Sequence, residues 1–346
     1  MQGLAQWLGI DLPIIQAPMA GVQDSALAAA VSGAGGLGSL PAAMLSAEAL
    51  ELELRTLRAA LGPRPCNVNF FCHVQPAPEP AREQAWRATL APWYAELGLD
   101  PGTVSSGPGR LPFNRDLLEV LLRHRPAVVS FHFGLPEPDL LQALKSSGVR
   151  VLSSATTVDE ARWLEAHGAD AVIAQGLEAG GHRGHFLSDD LSRQMGTLAL
   201  VRQVLRAVRV PVIAAGAIAD AQGVSAALAL GAAGVQVGTA WLLCPEARTS
   251  VVHRCALSSE GAQHTVITNL FTGRPARGIV NRVIRELGAL RTDLPPFPLA
   301  SGAIGPLRAA AEARNSGDFS PLWAGQNVSG CAAVPAAQLL HRLSGL

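Results

Sequence analysis

Short apolar runs alternate along the chain with longer segments in which leucine and alanine recur at helical spacing, and glycine or proline marks each changeover. The runs are Ile14–Ala17, Gly36–Leu40, Cys66–Phe71, Val128–His132, Val149–Ser153, Ala171–Gln175, Val210–Ala215 and Gly234–Val237. They have strand length and are apolar at nearly every position, which predicts strands buried on both faces of a parallel sheet. The intervening segments predict helices over Ser25–Ser32, Ala47–Leu61, Pro138–Ser147, Val158–His167 and Ala221–Leu230. Strand-then-helix units in this number predict a TIM (β/α)8 barrel, an architecture of ~250 residues. The units share no period, which excludes a helical repeat. A doubly wound open sheet would call for a GxGxxG turn after the first strand, and that turn reads PMAGVQD.

Two regions fall outside the barrel count. Residues 75–112 are Pro-rich, carry Trp86, Trp93 and Tyr94, and read as a partly helical insertion after the third strand. Residues 240–346 contain a Pro-rich turn at Asp293–Pro298 and a helical pattern at Leu307–Arg314. The expected organisation is a barrel over 1–239 with the insertion, followed by a largely helical region over 240–346. No flexible linker separates the two, so the second is expected to pack over the barrel mouth and complete the substrate site.

Composition narrows the class. Of 346 residues, 49% are hydrophobic and 16% charged, enough for a large core and too apolar for a disordered chain. Lys+Arg and Asp+Glu number 27 each, so bulk charge points to neither a nucleic-acid nor an anionic-membrane partner. This balance permits self-association, so a monomer or a homodimer is expected. The first residues lack the basic start and apolar run of a signal peptide, and the apolar stretches near 210–244 are broken by Asp220 and Gln222. Five cysteines without a CxxC pair suit a reducing cytoplasm, and no HxxxH spacing suggests a metal site.

Chemistry concentrates where the runs end, as it does at the C-terminal rim of a barrel. The stretch Ala171–Phe186, AVIAQGLEAGGHRGHF, passes from a buried strand into a Gly-rich loop carrying Gly180, Gly181, His182, Arg183 and His185. Glycines allow close backbone approach, and imidazole is the side chain best able to exchange protons near neutral pH. Asn67, Asn69 and Phe71 alternate on the third strand. Asn69 and Gln175 can each donate and accept, which suits the pyrimidine edge of a flavin. Gly216 and Ala217 follow the seventh strand, and Gln236, Val237, Gly238 and Thr239 end the eighth. Small residues there make the phosphate cradle of this fold from backbone N–H groups. His132 ends the fourth strand and could contact substrate or be satisfied by backbone. His185 and Arg183 could bind an anion or be solvated, with solvation favoured for Arg183. His73 falls near the mouth, His124, His167 and His341 read as surface, and Asp189-Asp190 reads as a polar turn or cap.

The motifs QAPMAG, AGGLGSL, NVNFF, VVSFHFG, QGLEAGGHRG, PVIAAGAI, VQVGTAW and TGRPARGI follow one another along the chain. In that order they resemble the bacterial nitronate monooxygenases, the FMN-dependent family formerly called 2-nitropropane dioxygenases. The resemblance implies His182 as catalytic residue; His132 and Phe71, from their places at the strand ends, are expected as substrate contacts. It implies FMN contacts at Met19, Asn69, Gln175, Gly180, Ala217 and the Gln236–Thr239 segment, and the neighbouring Gly181 and Gly216 are expected to join them. It implies O2 and an alkyl nitronate of the propionate 3-nitronate class as substrates. Ala217 stands where the family has glycine. The segment Pro298–Pro306 reads PLASGAIGP where close members carry tyrosines, and Tyr94 is the chain's one tyrosine. The alternatives on the same scaffold are NAD(P)H:quinone reduction, FMN-dependent enoyl-thioester reduction and a non-catalytic flavin-binding protein.

Overall fold

The computed structural model describes residues 3–100, 102 and 110–345, so part of the expected 75–112 insertion lies outside the described residues. Its strands, in chain order, are β1 (Ile14–Gln16), β2 (Ser39–Pro41), β3 (Asn67–Phe71), β4 (Val128–His132), β5 (Arg150–Ala155), β6 (Ala171–Gln175), β7 (Gly181–His182), β8 (Val212–Ala215), β9 (Gly234–Val237), β10 (Thr265–Thr268) and β11 (Ala276–Ile279). Its helices are α1 (Leu4–Leu8), α2 (Ser25–Gly33), α3 (Ala47–Leu61), α4 (Pro80–Leu97), α5 (Arg115–His124), α6 (Pro138–Ser146), α7 (Val158–Ala166), α8 (Thr197–Ala207), α9 (Ala221–Ala229), α10 (Val251–Leu257), α11 (Arg282–Leu287), α12 (Ser301–Glu312) and α13 (Ala336–Ser344).

The larger sheet is all parallel, with neighbours β1-β9-β8-β6-β5-β4-β3-β2. It closes on itself. Ile15 bridges Leu37, Gln16 N donates to Leu37 O at 2.9 Å, and Leu37 N donates to Ile14 O at 3.0 Å. The result is the TIM barrel expected from the alternating pattern. Strand alternation divides its side chains into an inner and an outer set. The outer set, including Val172, Ala174, Val212 and Val235, packs against Leu200, Val201 and Val204 of α8 and Val224 and Ala227 of α9.

The inner set changes character along the barrel axis. At the N-terminal end it is apolar: Ile15, Leu37, Leu152, Ile173 and Ile213 pack with Leu4 and Leu8 of α1, which stops the barrel floor. A Cβ on Gly234 would stand 2.3 Å from Leu4 Cδ2 and 2.6 Å from Pro13 O, so this strand takes glycine where the plug seats. At the C-terminal end the inner set turns polar, with Asn69, Ser130, His132, Ser154 and Gln175.

The region after β9 is not wholly helical. β10 and β11 pair antiparallel, and β11 also pairs with β7 through Ala276–His182 and Arg277–Gly181. These two strands are not among the runs read from the sequence: TVIT is β-branched but only four residues long, and ARGI has no alternating apolar pattern and is held by its partners. α12 packs against α4 from the insertion: Trp86 Nε1 donates to Ala300 O at 3.1 Å, and Leu90 and Tyr94 meet Ile304 and Leu307. α13 returns to the barrel wall, where Leu339, Leu340 and Leu343 join Leu27 and Val31 of α2.

Candidate active site

The polar end of the barrel opens into a concave, mostly apolar cavity with a free volume of about 180 Å3, the kind of cleft in which small molecules bind. The strand ends of β3, β4, β5 and β6 supply Asn69, Phe71, Ser130, His132, Ser154 and Gln175. The β8 and β9 ends supply Gly216, Ala217, Gln236, Gly238 and Thr239, and Met19 comes from the turn after β1. Gly180, Gly181 and His182 hang over the opening.

The His182 loop is held at every step. The carbonyl of His182 accepts from Gln175 Nε2 at 2.9 Å and from His132 Nε2 at 3.1 Å. A carbonyl can only accept, so His132 carries its proton on Nε2, and its Nδ1 accepts from Ser154 Oγ at 2.9 Å. Burial pushes the His132 imidazole down to about 3, consistent with this neutral arrangement. Gly184 N donates to Gln175 Oε1 at 2.8 Å. A Cβ on Gly184 would sit 2.7 Å from His132 Cε1, so only glycine lets the loop pass so close. Phe186 N donates to Glu160 Oε1 at 2.7 Å, while the other oxygen of Glu160 accepts from Thr156 N at 2.7 Å. That buried carboxylate joins the start of α7 to the end of the loop.

His182 itself meets Thr272 Oγ1 through Nε2 at 2.9 Å, which leaves Nδ1 without a partner among the described residues. Aromatic rings surround it: Phe71, Phe133, Phe297 and Trp323 lie with centroids 6.2, 6.1, 5.4 and 5.6 Å away. Burial, and then the positive charge of Arg110 with that of Arg274, hold its imidazole well below the usual histidine range. It is neutral at pH 7 and can both donate and accept.

Several expected residues take places that alternation or packing dictates. Val237 does not line the cavity. It faces the barrel–helix core, and its carbonyl accepts from Ala17 N at 2.7 Å and Trp241 Nε1 at 2.9 Å. Adjacent strand residues point to opposite sides, so Gln236 and Val237 cannot both face inward. Arg183 is not solvated. It is fully buried, donating through Nε to Gln194 at 2.9 Å and through Nη2 to Gln175 O at 2.9 Å. His185 is also buried, 3.4 Å from Asp189. His132 lines the cavity, but both ring nitrogens are used within the protein. The side-chain amide of Gln175 is likewise committed to the loop. Asn69 lines the cavity and donates through Nδ2 to Ser130 Oγ at 2.9 Å. Asp190 caps a short turn by accepting from Ser192 N at 2.9 Å.

The floor after β8 is backbone. Gly216 has φ +127° and Ala217 φ +59°, a left-handed conformation that alanine adopts at a cost of about 1 kcal/mol. Asn327 Nδ2 ties down the Ala217 carbonyl at 2.9 Å. Thr239 Oγ1 accepts from Gly325 N at 3.0 Å, and Gln326 N donates to Glu178 O at 2.9 Å, so segment 324–327 closes this side. A Cβ on Gly180 would stand 2.5 Å from Gly325 N. Gln236 Oε1 is buried here with no partner among the described residues.

Arg110, His253, Thr272, Phe297 and Trp323 line or support the site and were not singled out from sequence. Only Thr272 had a signal, as the first residue of TGRPARGI.

The family model described as nitronate monooxygenase matches residues 2–345. The nitronate monooxygenase of Pseudomonas aeruginosa is 48% identical across 97% of this chain and 96% of its own length. That of Paraburkholderia phytofirmans is 44% identical across 99% and 94%. A crystal structure of nitroalkane oxidase from Streptomyces ansochromogenes superposes with a TM-score of 0.88 at 40% identity, covering 97% of this chain and 95% of that one. A match of this extent, on a fold and cavity built as described, shows that the chain is an oxidoreductase belonging to the nitronate monooxygenase family.

Proposed function

We propose that this enzyme binds FMN and oxidises alkyl nitronates of the propionate 3-nitronate class with O2, giving a carbonyl compound and nitrite. The observation that carries the reading is the neutral His182, fixed by main-chain and side-chain bonds inside an aromatic wall and sharing one cavity with a backbone-lined floor. The residues present fit the cofactor. Gln236 Oε1 is a buried acceptor without a donor among the described residues, and Asn69 lines the same cavity with its Nδ2 already given to Ser130. The small residues Gly216, Ala217, Gly238 and Thr239 leave backbone and hydroxyl groups where a phosphate group would be cradled. Met19 contributes an adaptable apolar contact at the same floor.

Bound FMN would supply the electron acceptor and the route to O2. The protein's own part is binding and proton placement. The nitro group of a nitronate is anionic, and an N–H of His182 would donate to it. With a neutral nitroalkane, the free nitrogen of His182 would accept the α-proton. Phe71, Phe133, Phe297 and Trp323 keep water from the reacting carbon. Thr272, His132 and Gln175 act through His182, setting its ring and its main chain.

The test mixes flavin-loaded enzyme with propionate 3-nitronate without air, follows flavin absorbance, then admits air and assays nitrite. Bleaching followed by nitrite supports the reading. Flavin that stays oxidised with nitronate and bleaches with NADH or NADPH would replace it with a reductase. No response to either reagent would leave a flavin-binding protein.

A further inference from the structure

The cavity holds a cation that the reaction as stated leaves unused. Arg110 lies on the segment returning from the insertion to the barrel. Its main chain is pinned beside β3: Phe113 N donates to Phe71 O at 2.8 Å, and His73 Nε2 donates to Arg110 O at 3.0 Å. Its side chain lines the same cavity as His182. Among the described residues no carboxylate pairs with it; the groups that act on it are burial and the like charge of Arg308. Residues 103–109 contain no Asp or Glu. The acid that does line the cavity, Glu178, is committed to Thr197, accepting from its N at 2.9 Å and its Oγ1 at 2.8 Å. A second cation, Arg274, stacks 4.2 Å from the Phe133 centroid. Of the charges that act on His182, Arg110 comes first.

A guanidinium withdrawn from water without a counter-charge is costly, and a bound anion would offset that cost. The cofactor's phosphate is not that anion. The loop of Arg110 is tied to the end of β3, and around the ring β3 stands four strands from β8 in either direction, across the barrel mouth from the backbone floor proposed for the phosphate. The anion therefore belongs to the substrate.

We infer that Arg110 binds a carboxylate at the far end of the substrate, so that the enzyme selects nitronates bearing a second negative charge over simple alkyl nitronates. This rests on the reaction proposed above, with His182 at the nitronate end. Arg110 is then a specificity-determining residue.

The experiment compares wild type, Arg110→Gln and Arg110→Lys with propionate 3-nitronate and with propyl-1-nitronate, which has the same carbon chain without the carboxylate. Charge-assisted bonds of this kind correspond to about 10- to 100-fold. Arg110→Gln is expected to lose that much kcat/KM on the carboxylated substrate, chiefly through KM. Its loss on propyl-1-nitronate should be smaller by about 10-fold or more, and Arg110→Lys should recover part of the difference. Equal losses on both substrates would overturn the assignment, because a structural role or a role at the nitro group moves both. A second readout needs no turnover. Succinate and butyrate are titrated into the flavin-loaded protein and followed by the flavin spectrum. Wild type should prefer succinate by about 10-fold or more, and Arg110→Gln should lose the preference. Absence of the preference in wild type overturns the inference. If the preference depends on Arg110 while no nitronate releases nitrite, the anion site stands and the reaction falls. If propyl-1-nitronate yields nitrite and Arg110→Gln leaves both preferences intact, the reaction stands and Arg110 falls.

Discussion

The two sides of the cavity are made of different material. The side under β8 and β9 is glycine, alanine and threonine, with φ of +127° at Gly216 and +59° at Ala217, and it offers a ligand mostly main chain. The side over β3 to β6 is side chains: His182, His132, Gln175, Phe71 and Arg110, gathered from distant segments and locked by Thr272, Ser154 and Glu160. The contrast teaches where each kind of change will be felt. The main-chain side should respond to bulk and to φ, and be read in cofactor affinity. The side-chain side should respond to chemistry, and be read in turnover.

The sharpest break is His182→Asn. It keeps a polar group but removes the imidazole, so kcat should fall by about 10²–10⁴ while flavin content stays at the wild-type level. Loss of flavin in step with activity would erase the distinction between the two sides. The reciprocal change is Gly238→Val. Its φ of −117° is not left-handed, and its Cβ would lie 3.3 Å from Ala17 Cβ and 3.9 Å from Met19 Sδ, so the change is chiefly one of space. Flavin affinity should weaken about 5- to 100-fold. The kcat of the loaded fraction should stay within about 3-fold, as measured by flavin titration alongside nitrite release.

The side-chain side also carries a pH signature. Burial holds His132 and His185 down to about 3 and His253 to about 4, with His182 well below its usual range. In the unfolded chain these imidazoles titrate near ~6.5. Between about pH 6.5 and pH 4 the unfolded state binds protons that the folded state refuses, so stability falls as pH falls through that window. Above it these groups add no pH dependence. Each fully titrating histidine contributes about 1.4 kcal/mol per pH unit. Urea midpoints from pH 7.5 to 5 should therefore drop below pH 6.5, and His182→Asn should remove one proton from the slope. A flat profile would mean that the cluster is solvated.

The smallest effect belongs to Ala217. Ala217→Gly relieves a left-handed alanine but loosens the unfolded chain, so the net gain should be at most about 1 kcal/mol. Ala217→Val should destabilise, because a β-branched residue tolerates that φ less well. Thermal melts of the three proteins order them. A valine variant as stable as glycine would show that the turn is not held in this conformation.

Most of the barrel was legible in the chain, and for a local reason. A strand buried on both faces must be apolar at nearly every position, so β3, β4 and β6 stand out as runs. Glycines at the rim are legible too, because backbone proximity and positive φ restrict residue type. The misses share one cause. β11 is a strand because β7 and β10 flank it, and nothing in ARGI declares that. Arg183 reads as a surface residue until Gln194 and the Gln175 carbonyl are seen to receive it. Val237 was grouped with Gln236 by position, although alternation turns it to the outer core.

What the sequence by itself determined is the architecture, the rim on which chemistry gathers and the histidine within the Gly-rich loop. Periodicity, turn residues and conformational restriction are properties of neighbours in the chain. What only the tertiary structure decided is the state of that histidine and the company it keeps. Desolvation, tautomer and field are sums over groups from positions as far apart as 71, 110, 272, 297 and 323, and such a sum has a value only once the chain has closed around it.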